Sequence, residues 1–316
     1  MRYRRIFKRD SKKRLFYYGD RLILINNCPV CNGSDFETFL SGKDFFLSGE
    51  SFNIVSCLSC RFKLTNPIPK TDLLSNYYES DEYISHSHSK TGLQNRIYHL
   101  VRKYAIQSKI RMIKRYKSNG VLLDIGCGTG EFLKEIRKSA FSTMGIEPNL
   151  KARTVAEELN KLTVFDKIEK LPEGTKFDVI TLWHVLEHIN DLNIILYQIK
   201  NLLNRDGLLI IAVPNSGSFD AKYYKEFWAA YDLPRHLYHF DKNSMELLVR
   251  KLDFEIAKVK PMIFDAFYVS LLSEKYKTGK SNYFKAFFIG LLSNFRAMLD
   301  RDNYSSLIFI LKTKKT

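Results

Sequence analysis

The amino-acid sequence predicts an α/β fold in which a mostly parallel sheet is covered by helices on both faces. Strand-like apolar segments alternate with helical patterns along the last two thirds of the chain, and this alternation is typical of such sheets. The first strand, residues 121–125, runs directly into a loop that contains Gly126, Gly128 and Gly130. Because glycine allows positive φ and close approach of a ligand, the loop predicts a binding site at the carboxyl edge of the sheet.

Apolar runs and helical periodicity predict the individual elements in chain order. The predicted strands cover residues 121–125, 144–148, 162–165, 177–183, 207–215, 254–259 and 305–311. The predicted helices cover residues 131–137, 151–159, 193–203 and 244–252. Apolar residues interleave with basic ones in residues 96–117, which predicts a further, amphipathic helix. A helical insertion rich in Phe and Leu is expected at residues 261–303.

Acidic residues stand at the ends of the first three predicted strands, at Asp124, Glu147 and Asp166. Glu147 lies 21 residues after Gly126, and an acid at about 20 residues accepts hydrogen bonds from ribose hydroxyls in nucleotide-binding βαβ units. The loop has the spacing G-x-G-x-G, whereas dinucleotide-binding proteins have G-x-G-x-x-G. A dinucleotide or nucleotide-sugar domain on a similar sheet is the alternative interpretation.

The glycine loop with Asp124, the acid Glu147 and the segment His184-Val-Leu-Glu187-His188 together resemble class I S-adenosylmethionine-dependent methyltransferases. The resemblance extends over residues 94–316 and implies a Rossmann-like methyltransferase sheet of seven strands with an antiparallel last strand. It also implies that the cofactor is S-adenosylmethionine. The cofactor-binding residues that it implies are Asp124, Gly126, Gly128, Gly130, Glu147, Asp166 and His184.

Four of the five cysteines form two C-x-x-C pairs, Cys28/Cys31 and Cys57/Cys60, which are separated by 25 residues. Each pair can direct two sulfurs at one point, and two pairs form the tetrahedral sulfur cage that structural zinc prefers. Disulfides or reduced thiols are the alternatives. Since no secretory signal precedes the pairs, we expect a cytoplasmic protein, and a reducing compartment disfavours disulfides.

The cysteine pairs and the segment Asn76-Tyr77-Tyr78 resemble a zinc-binding segment that precedes some bacterial methyltransferases, including sugar C-methyltransferases. The sequence therefore predicts three parts. A basic tail covers residues 1–21, a zinc-knuckle module related to zinc ribbons covers residues 22–90, and a methyltransferase domain covers residues 91–316.

The net charge of +16 is concentrated in two segments, because residues 1–21 carry +7 and residues 96–117 carry +8. The rest of the chain is nearly neutral. A solvated basic face is one interpretation of these segments, and a contact for RNA, anionic lipid or a nucleotide-linked sugar is the other. No clean run of 18 apolar residues predicts a transmembrane helix, but the aromatic insertion leaves a peripheral membrane contact open.

Four of the seven histidines, His184, His188, His236 and His239, follow the fourth and fifth predicted strands. The segment from Pro234 to Phe240 resembles one found in a subgroup of bacterial methyltransferases. We expect His236 to act as a general base, because imidazole exchanges protons near neutral pH. We expect Arg235 to orient an anionic or oxygen-rich acceptor. His184 and Glu187 are the other catalytic candidates.

The sequence thus predicts methyl transfer to an oxygen or carbon of a small-molecule or saccharide acceptor. The nearly neutral catalytic part favours such an acceptor over nucleic acid. Two alternatives stay open: an RNA methyltransferase that uses the zinc module and the basic helix as its platform, and a cofactor-binding interaction protein without turnover.

Overall fold

The computed structural model describes residues 21–78, 93–300 and 303–314, so nearly all of the predicted basic tail lies outside the described residues. The strands are β1 Leu22–Ile23, β2 Phe36–Lys43, β3 Ser51–Cys57, β4 Lys63–Thr65, β5 Ile68–Pro69, β6 Asn119–Ile125, β7 Ala140–Ile146, β8 Thr163–Phe165, β9 Phe177–Trp183, β10 Leu203–Pro214, β11 Tyr238–His239, β12 Phe254–Pro261 and β13 Ser306–Thr313. The α-helices are α1 Thr71–Leu74, α2 Leu93–Lys114, α3 Glu131–Ile136, α4 Leu150–Thr154, α5 Leu192–Leu202, α6 Phe219–Tyr224, α7 Lys242–Arg250, α8 Asp265–Thr278 and α9 Tyr283–Leu299.

The main sheet has seven strands in the order β12-β13-β10-β9-β6-β7-β8. Strand β13 is antiparallel to both of its neighbours, whereas the strands from β10 to β8 pair in parallel. The predicted seven-stranded sheet with an antiparallel last strand is therefore confirmed. From β6 the chain adds β7 and β8 on one side, and it then returns to add β9 and β10 on the other side. The strand order therefore reverses between β6 and β9, and ligands bind outside the carboxyl ends of the strands at such a point.

Helices cover both faces of this sheet, as the alternation of side chains along each strand requires. Leu122 packs into a core with α2 and α3, which includes Ile113 and Leu133. Its neighbour Leu123 points to the opposite core, which includes Leu196 of α5 and Leu248 of α7. None of the helices in the described residues combines the length and the apolar composition needed to cross a bilayer.

Several predicted elements differ from the structure at their boundaries; the second predicted strand, residues 144–148, is β7 Ala140–Ile146. Strand β10 begins at Leu203 rather than residue 207, because Leu203 already pairs with Phe177 of β9. The helix predicted at residues 151–159 is an α-helix only in α4 and continues as a π-helical turn, Val155–Leu159. The helical insertion between β12 and β13 is present as α8 and α9.

The cysteine-containing segment forms a four-stranded antiparallel sheet whose order is β11-β4-β3-β2. Its strand β11 comes from residues 238–239, far along the chain, and Tyr238 pairs with Leu64 of β4. Phe62 and Leu64 also belong to the same buried core as strand residues of the main sheet. The later part of the chain therefore supplies one strand to the sheet of the module, and the module and the main sheet share a core, so we expect them to fold together.

Candidate active site

The glycine loop joins β6 to α3 at the carboxyl edge of the main sheet. Gly126, Gly128 and Gly130 have φ values of 70°, 55° and 78°, which other residues adopt only with strain. A Cβ at Gly126 would lie 2.4 Å from Cγ2 of Val185, in the loop after β9. No described atom lies within 4 Å of a Cβ at Gly128. The first glycine therefore serves close packing, and the second leaves open space beside the loop.

Glu147 follows β7 and turns its carboxylate toward the glycine loop. Its Oε2 accepts a hydrogen bond from the Gly128 backbone N–H at 2.8 Å, and its Oε1 accepts one from Asn149 at 2.8 Å. Burial raises the pKa of Glu147, although these hydrogen bonds oppose the effect. The acid is thus held next to the second glycine, where a ribose would meet both groups.

Asp124 lies at the end of β6 but is buried, with 2% of its surface exposed. It accepts a 2.6 Å hydrogen bond from Thr181 Oγ1 on β9. Burial raises the pKa of Asp124 to about 7 and lowers the pKa of Lys109, which faces it from α2, to about 8. Lys109 Nζ also lies 4.2 Å from the centroid of the Trp183 ring. Lys109 was not among the predicted site residues, because on the sequence it looks like one cation of a basic helix.

Asp166 follows β8 at the same edge of the sheet. Its Oδ2 accepts a hydrogen bond from Lys170 Nζ at 2.8 Å, and this interaction lowers the pKa of the carboxyl group. The role of Asp166 in cofactor binding stays a prediction.

His184 begins the loop after β9 and has a φ of 57°. Its Nε2 lies 3.1 Å from Asp265 Oδ2 at the start of α8, and its Nδ1 lies 3.3 Å from Glu187 Oε1. Burial alone would lower the pKa of His184, but the two carboxylates outweigh burial and raise the pKa to about 10. A histidine that stays protonated at neutral pH is poorly suited to act as a base, so we expect His184 to be a fixed cation between two acids.

His188 and His236 lie edge to face, with ring centroids 4.5 Å apart. His188 Nδ1 lies 3.1 Å from the Arg235 carbonyl oxygen, and His236 Nδ1 lies 2.8 Å from the Ala230 carbonyl oxygen. A carbonyl oxygen can only accept, so each Nδ1 donates, and in the neutral form of each ring the lone pair therefore lies on Nε2. Burial and then the neighbouring His236 lower the pKa of His188 to about 4.

Glu187 completes a cluster with these two imidazoles, because its carboxylate and one ring nitrogen of each lie within 4.8 Å of one another. Glu187 is buried, and apart from the 3.3 Å approach of His184 Nδ1 to Oε1 its carboxylate oxygens have no hydrogen-bond partner among the described residues. Burial would raise its pKa, but His184 and the other histidines lower it, so the group is a carboxylate. Tyr78 also reaches the cluster, with its hydroxyl 3.0 Å from His188 Nδ1.

Arg235 does not face an open site, which contradicts the acceptor-binding role predicted for it. Its side chain is 1% exposed, and its Nη2 donates to Asp44 Oδ1 at 2.8 Å and to Asp232 Oδ1 at 2.7 Å. Its Nη1 donates to the Tyr77 carbonyl oxygen at 3.0 Å. Asp44 and Tyr77 belong to the cysteine-containing module, so Arg235 fastens this module to the loop that carries His236. No sequence pattern indicated Asp44, which lies 191 residues from Arg235 along the chain.

The four cysteines converge as predicted. The sulfur of Cys28 lies 3.6 Å from that of Cys60, and the sulfur of Cys31 lies 3.5 Å from that of Cys57. All four sulfurs lie within 4.8 Å of one another. The residues that follow the two pairs, Asn32 and Arg61, share a φ of 64°, so both pairs form the same tight turn.

The family model described as "Methyltransferase domain" matches residues 97–259 of the chain. The chain belongs to this methyltransferase family.

Curated relatives agree over part of their length. The chain is 32% identical over 122 residues to the ubiquinone biosynthesis O-methyltransferase of Pelagibacter ubique, which covers 37% of the chain and 49% of that protein. It is 29% identical over 199 residues to an uncharacterized protein of Methanocaldococcus jannaschii, covering 61% of the chain and 70% of that protein. The chain thus spans about half the length of the ubiquinone biosynthesis enzymes that it matches.

Solved structures show the same fold. The magnesium protoporphyrin IX methyltransferase of Synechocystis, which holds bound SAH, has a TM-score of 0.51 and 14% identity, covering 78% of this chain and 100% of that one. A SAM-dependent methyltransferase of Thermotoga maritima has a TM-score of 0.50 and 20% identity, covering 77% of this chain and 100% of that one.

Proposed function

We propose that the protein transfers a methyl group from S-adenosylmethionine to an oxygen or carbon of a small-molecule or saccharide acceptor. The observation that carries this proposal is the contact of Val185 with Gly126. Through it, the loop that leads to Glu187 and His188 lies directly against the predicted cofactor loop. A methyl donor held by the glycines would therefore lie beside a cluster of proton acceptors.

The residues expected to hold the cofactor are the three glycines of the loop, Glu147 and Asp166. Asp124 lies at the end of β6, the strand that leads into this loop. When bound, S-adenosylmethionine supplies an electrophilic methyl group on a sulfonium. The open space beside Gly128 fits the cofactor, because a side chain at this position would stand between the backbone and the cofactor. Glu147 fits it as well, since a carboxylate can accept hydrogen bonds from two ribose hydroxyls at once.

The proton from the acceptor goes to His236 in this proposal. In the neutral imidazole of His236 the lone pair lies on Nε2, because Nδ1 donates to the Ala230 carbonyl oxygen, and this hydrogen bond also fixes the orientation of the ring. His188 stays neutral at physiological pH because its pKa is lowered to about 4. The carboxylate of Glu187 stabilises the imidazolium that forms on His236. His184 pairs with Glu187, and the Tyr78 hydroxyl contacts His188 at Nδ1.

We also propose that the four cysteines hold a structural zinc ion. Zinc–sulfur bonds of 2.3 Å in a tetrahedron place the sulfurs about 3.8 Å apart, close to the 3.5 and 3.6 Å between opposite pairs here. The four sulfurs leave no coordination position for a substrate. The role of zinc is therefore to fix the module that carries Asp44 and Tyr78 against the histidine cluster.

Metal content and unfolding test the zinc proposal together. The purified protein should contain one zinc per chain, and Cys31→Ser should reduce that content. Because the module shares a core with the main sheet, loss of zinc should lower Tm by about 10 °C or more. A Leu58→Ser variant, at an exposed position between Cys57 and Cys60, should keep both its zinc and its Tm. Full stability in a metal-free protein would refute the proposal.

Part of the basic helix α2 is engaged within the protein. Lys109 is partly exposed and lies near Asp124, and Arg102 forms a 2.9 Å ion pair with Glu131. Cations that are already paired release few counterions on binding a phosphate backbone. Other cations of this basic segment are exposed: Lys103, Arg111, Lys114 and Arg115. An RNA acceptor therefore stays the alternative that the labelling experiment tests.

Transfer of labelled methyl groups from S-adenosylmethionine tests the function. The protein would be incubated with fractionated extract of the source cells, and label would be counted in small-molecule, saccharide, lipid, RNA and protein pools. Label in the small-molecule or saccharide pool would support the proposal if Glu147→Ala abolishes it. Glu157→Ala, a matched surface control, should leave the label unchanged. Label in RNA would favour the alternative acceptor. Cofactor binding without label in any pool would favour the interaction protein.

A further inference from the structure

Helix α9 is amphipathic, but unlike an ordinary surface helix it buries its small and polar face and exposes its large apolar face. The residues that it turns toward the protein are small or polar: Ala286, Gly290, Ser293, Asn294 and Ala297. The residues that it turns outward are large and apolar: Tyr283, Phe284, Phe287, Phe288, Leu291, Leu292, Phe295, Met298 and Leu299. Phe284 and Leu299 are each 75% exposed. A surface helix normally buries its apolar stripe, so we expect the exposed apolar face of α9 to bind another surface.

Specific contacts fix this orientation. A Cβ at Gly290 would lie 3.0 Å from the Phe267 Cα atom, so only glycine allows α9 to approach α8 this closely. Ser293 Oγ donates to the buried carboxylate of Asp220 at 2.8 Å. Asn294 Nδ2 donates to the Ile263 carbonyl oxygen at 3.0 Å. Rotating the helix to bury its phenylalanines would break these bonds and place large rings where only small residues fit.

The charge around this face is positive. Residues 274–300 contain five basic residues, Lys275, Lys277, Lys280, Lys285 and Arg296, and two acidic ones, Glu274 and Asp300, so the net charge of this segment is +3. Lys285 is paired with Glu274, while Lys275, Lys277, Lys280 and Arg296 are exposed. Two copies of this face packed together would bring like charges toward each other. An anionic lipid surface would bury the rings and attract the cations at the same time.

We propose that the outward face of α9 docks onto an anionic membrane surface. The helix lies flat on the surface, because its other side is packed along its length against α8 and α6. The aromatic and aliphatic side chains enter the boundary between headgroups and acyl chains, and the exposed lysines stay among the headgroups. The same hairpin carries Asp265, whose Oδ2 lies 3.1 Å from His184 Nε2. Docking therefore places the candidate active site next to the lipid surface.

Sedimentation with vesicles tests this proposal without any need for turnover. The full-length protein would be mixed with vesicles of phosphatidylcholine alone or of phosphatidylcholine with phosphatidylglycerol. We expect binding to the anionic vesicles that weakens with added salt. Replacing two outward rings, in Phe284→Ser with Phe295→Ser, should weaken the binding about 100-fold. Lys275→Gln with Lys280→Gln should weaken binding to the anionic vesicles less strongly.

The matched control is Leu159→Ser with Tyr197→Ser, two equally exposed apolar positions on other elements. This variant should bind vesicles like the wild type, and all variants should keep their Tm. Equal vesicle binding by the α9 variant and the wild type would overturn the proposal and assign the binding to another basic segment. Failure of the wild type to sediment would also overturn it. The proposal would also be overturned if the wild type is a dimer and the α9 variant is a monomer, because the outward face of α9 would then contact a second copy of the chain.

Discussion

The two sides of the candidate site are built in different ways. The core of the cofactor side comes from one continuous segment, in which β6, the glycine loop, α3 and β7 bring Gly128 and Glu147 together across 19 residues. The acceptor side draws Tyr78 and Asp44 from the cysteine-containing module and His188 and His236 from two later loops. Local sequence spacing therefore determines the first side, whereas contacts between distant segments determine the second.

This difference makes the two sides separable by mutation. A change on the cofactor side should alter affinity for S-adenosylmethionine through atoms near the change. A change at the contacts between the module and the main domain should disturb the acceptor side and the stability, while the glycine loop keeps its conformation. The predictions below use this separation, starting with the largest expected effect.

Arg235→Ala should lower the free energy of unfolding by about 3–5 kcal/mol, because it leaves a buried carboxylate without its partner. The carboxylate most affected is Asp44, whose pKa burial would raise but Arg235 holds below its usual range. Urea unfolding measures the effect. Arg250→Ala is the control, because its ion pair with Glu246 is exposed and should contribute about 0–1 kcal/mol. Unchanged stability in Arg235→Ala would contradict a structural role for this ion pair and would favour the predicted role of Arg235 in acceptor binding.

His236→Ala should reduce kcat by about 100-fold or more, as expected for loss of a general base. Affinity for S-adenosylmethionine should stay near the wild-type value, because His236 lies outside the glycine loop. Turnover with the acceptor pool identified by labelling and calorimetric titration of the cofactor measure the two quantities. An undiminished rate would exclude His236 as the base and leave His188, which has the same free Nε2, as the candidate.

Gly126→Ala and Gly128→Ala form a matched pair on the cofactor side. Both positions have positive φ, but only at Gly126 would the new methyl group overlap Val185. Gly126→Ala should therefore destabilise the fold by about 2–3 kcal/mol and Gly128→Ala by about 1 kcal/mol. Gly128→Ala should mainly weaken cofactor binding. Thermal unfolding with and without S-adenosylmethionine separates the two effects, and equal destabilisation by both variants would contradict the prediction.

The smallest predicted effect is the pH dependence contributed by His184. Its pKa is raised from 6.5 to about 10, so its charge stabilises the folded state fully below pH 6.5, and this stabilisation is lost as the pH rises toward 10. The difference in Tm between the wild type and His184→Gln should therefore shrink across that interval. A difference that is constant or grows with pH would show that His184 is not charged between Asp265 and Glu187.

The structure also shows why one residue was predicted wrongly. Arg235 stands in a segment whose residue types are those of a substrate pocket, and sequence alone gave no reason to place it inside the protein. Its burial depends on Asp44 and Asp232, which supply the charge that an arginine needs in order to leave water. Tyr78 and His188 enter the site for a similar reason, since their contact joins residues 110 positions apart.

The sequence by itself determined the alternating strands and helices, the glycine loop and the convergence of four sulfurs, because apolar periodicity, glycine positions and cysteine spacing act over short distances along the chain. The antiparallel last strand was implied by the resemblance to class I methyltransferases. Only the tertiary structure decided that β11 completes the sheet of the module, that Arg235 is a buried clamp and that α9 turns its phenylalanines outward. Each of these depends on which side of an element faces a distant partner, and packing and charge compensation between separate segments decide that orientation.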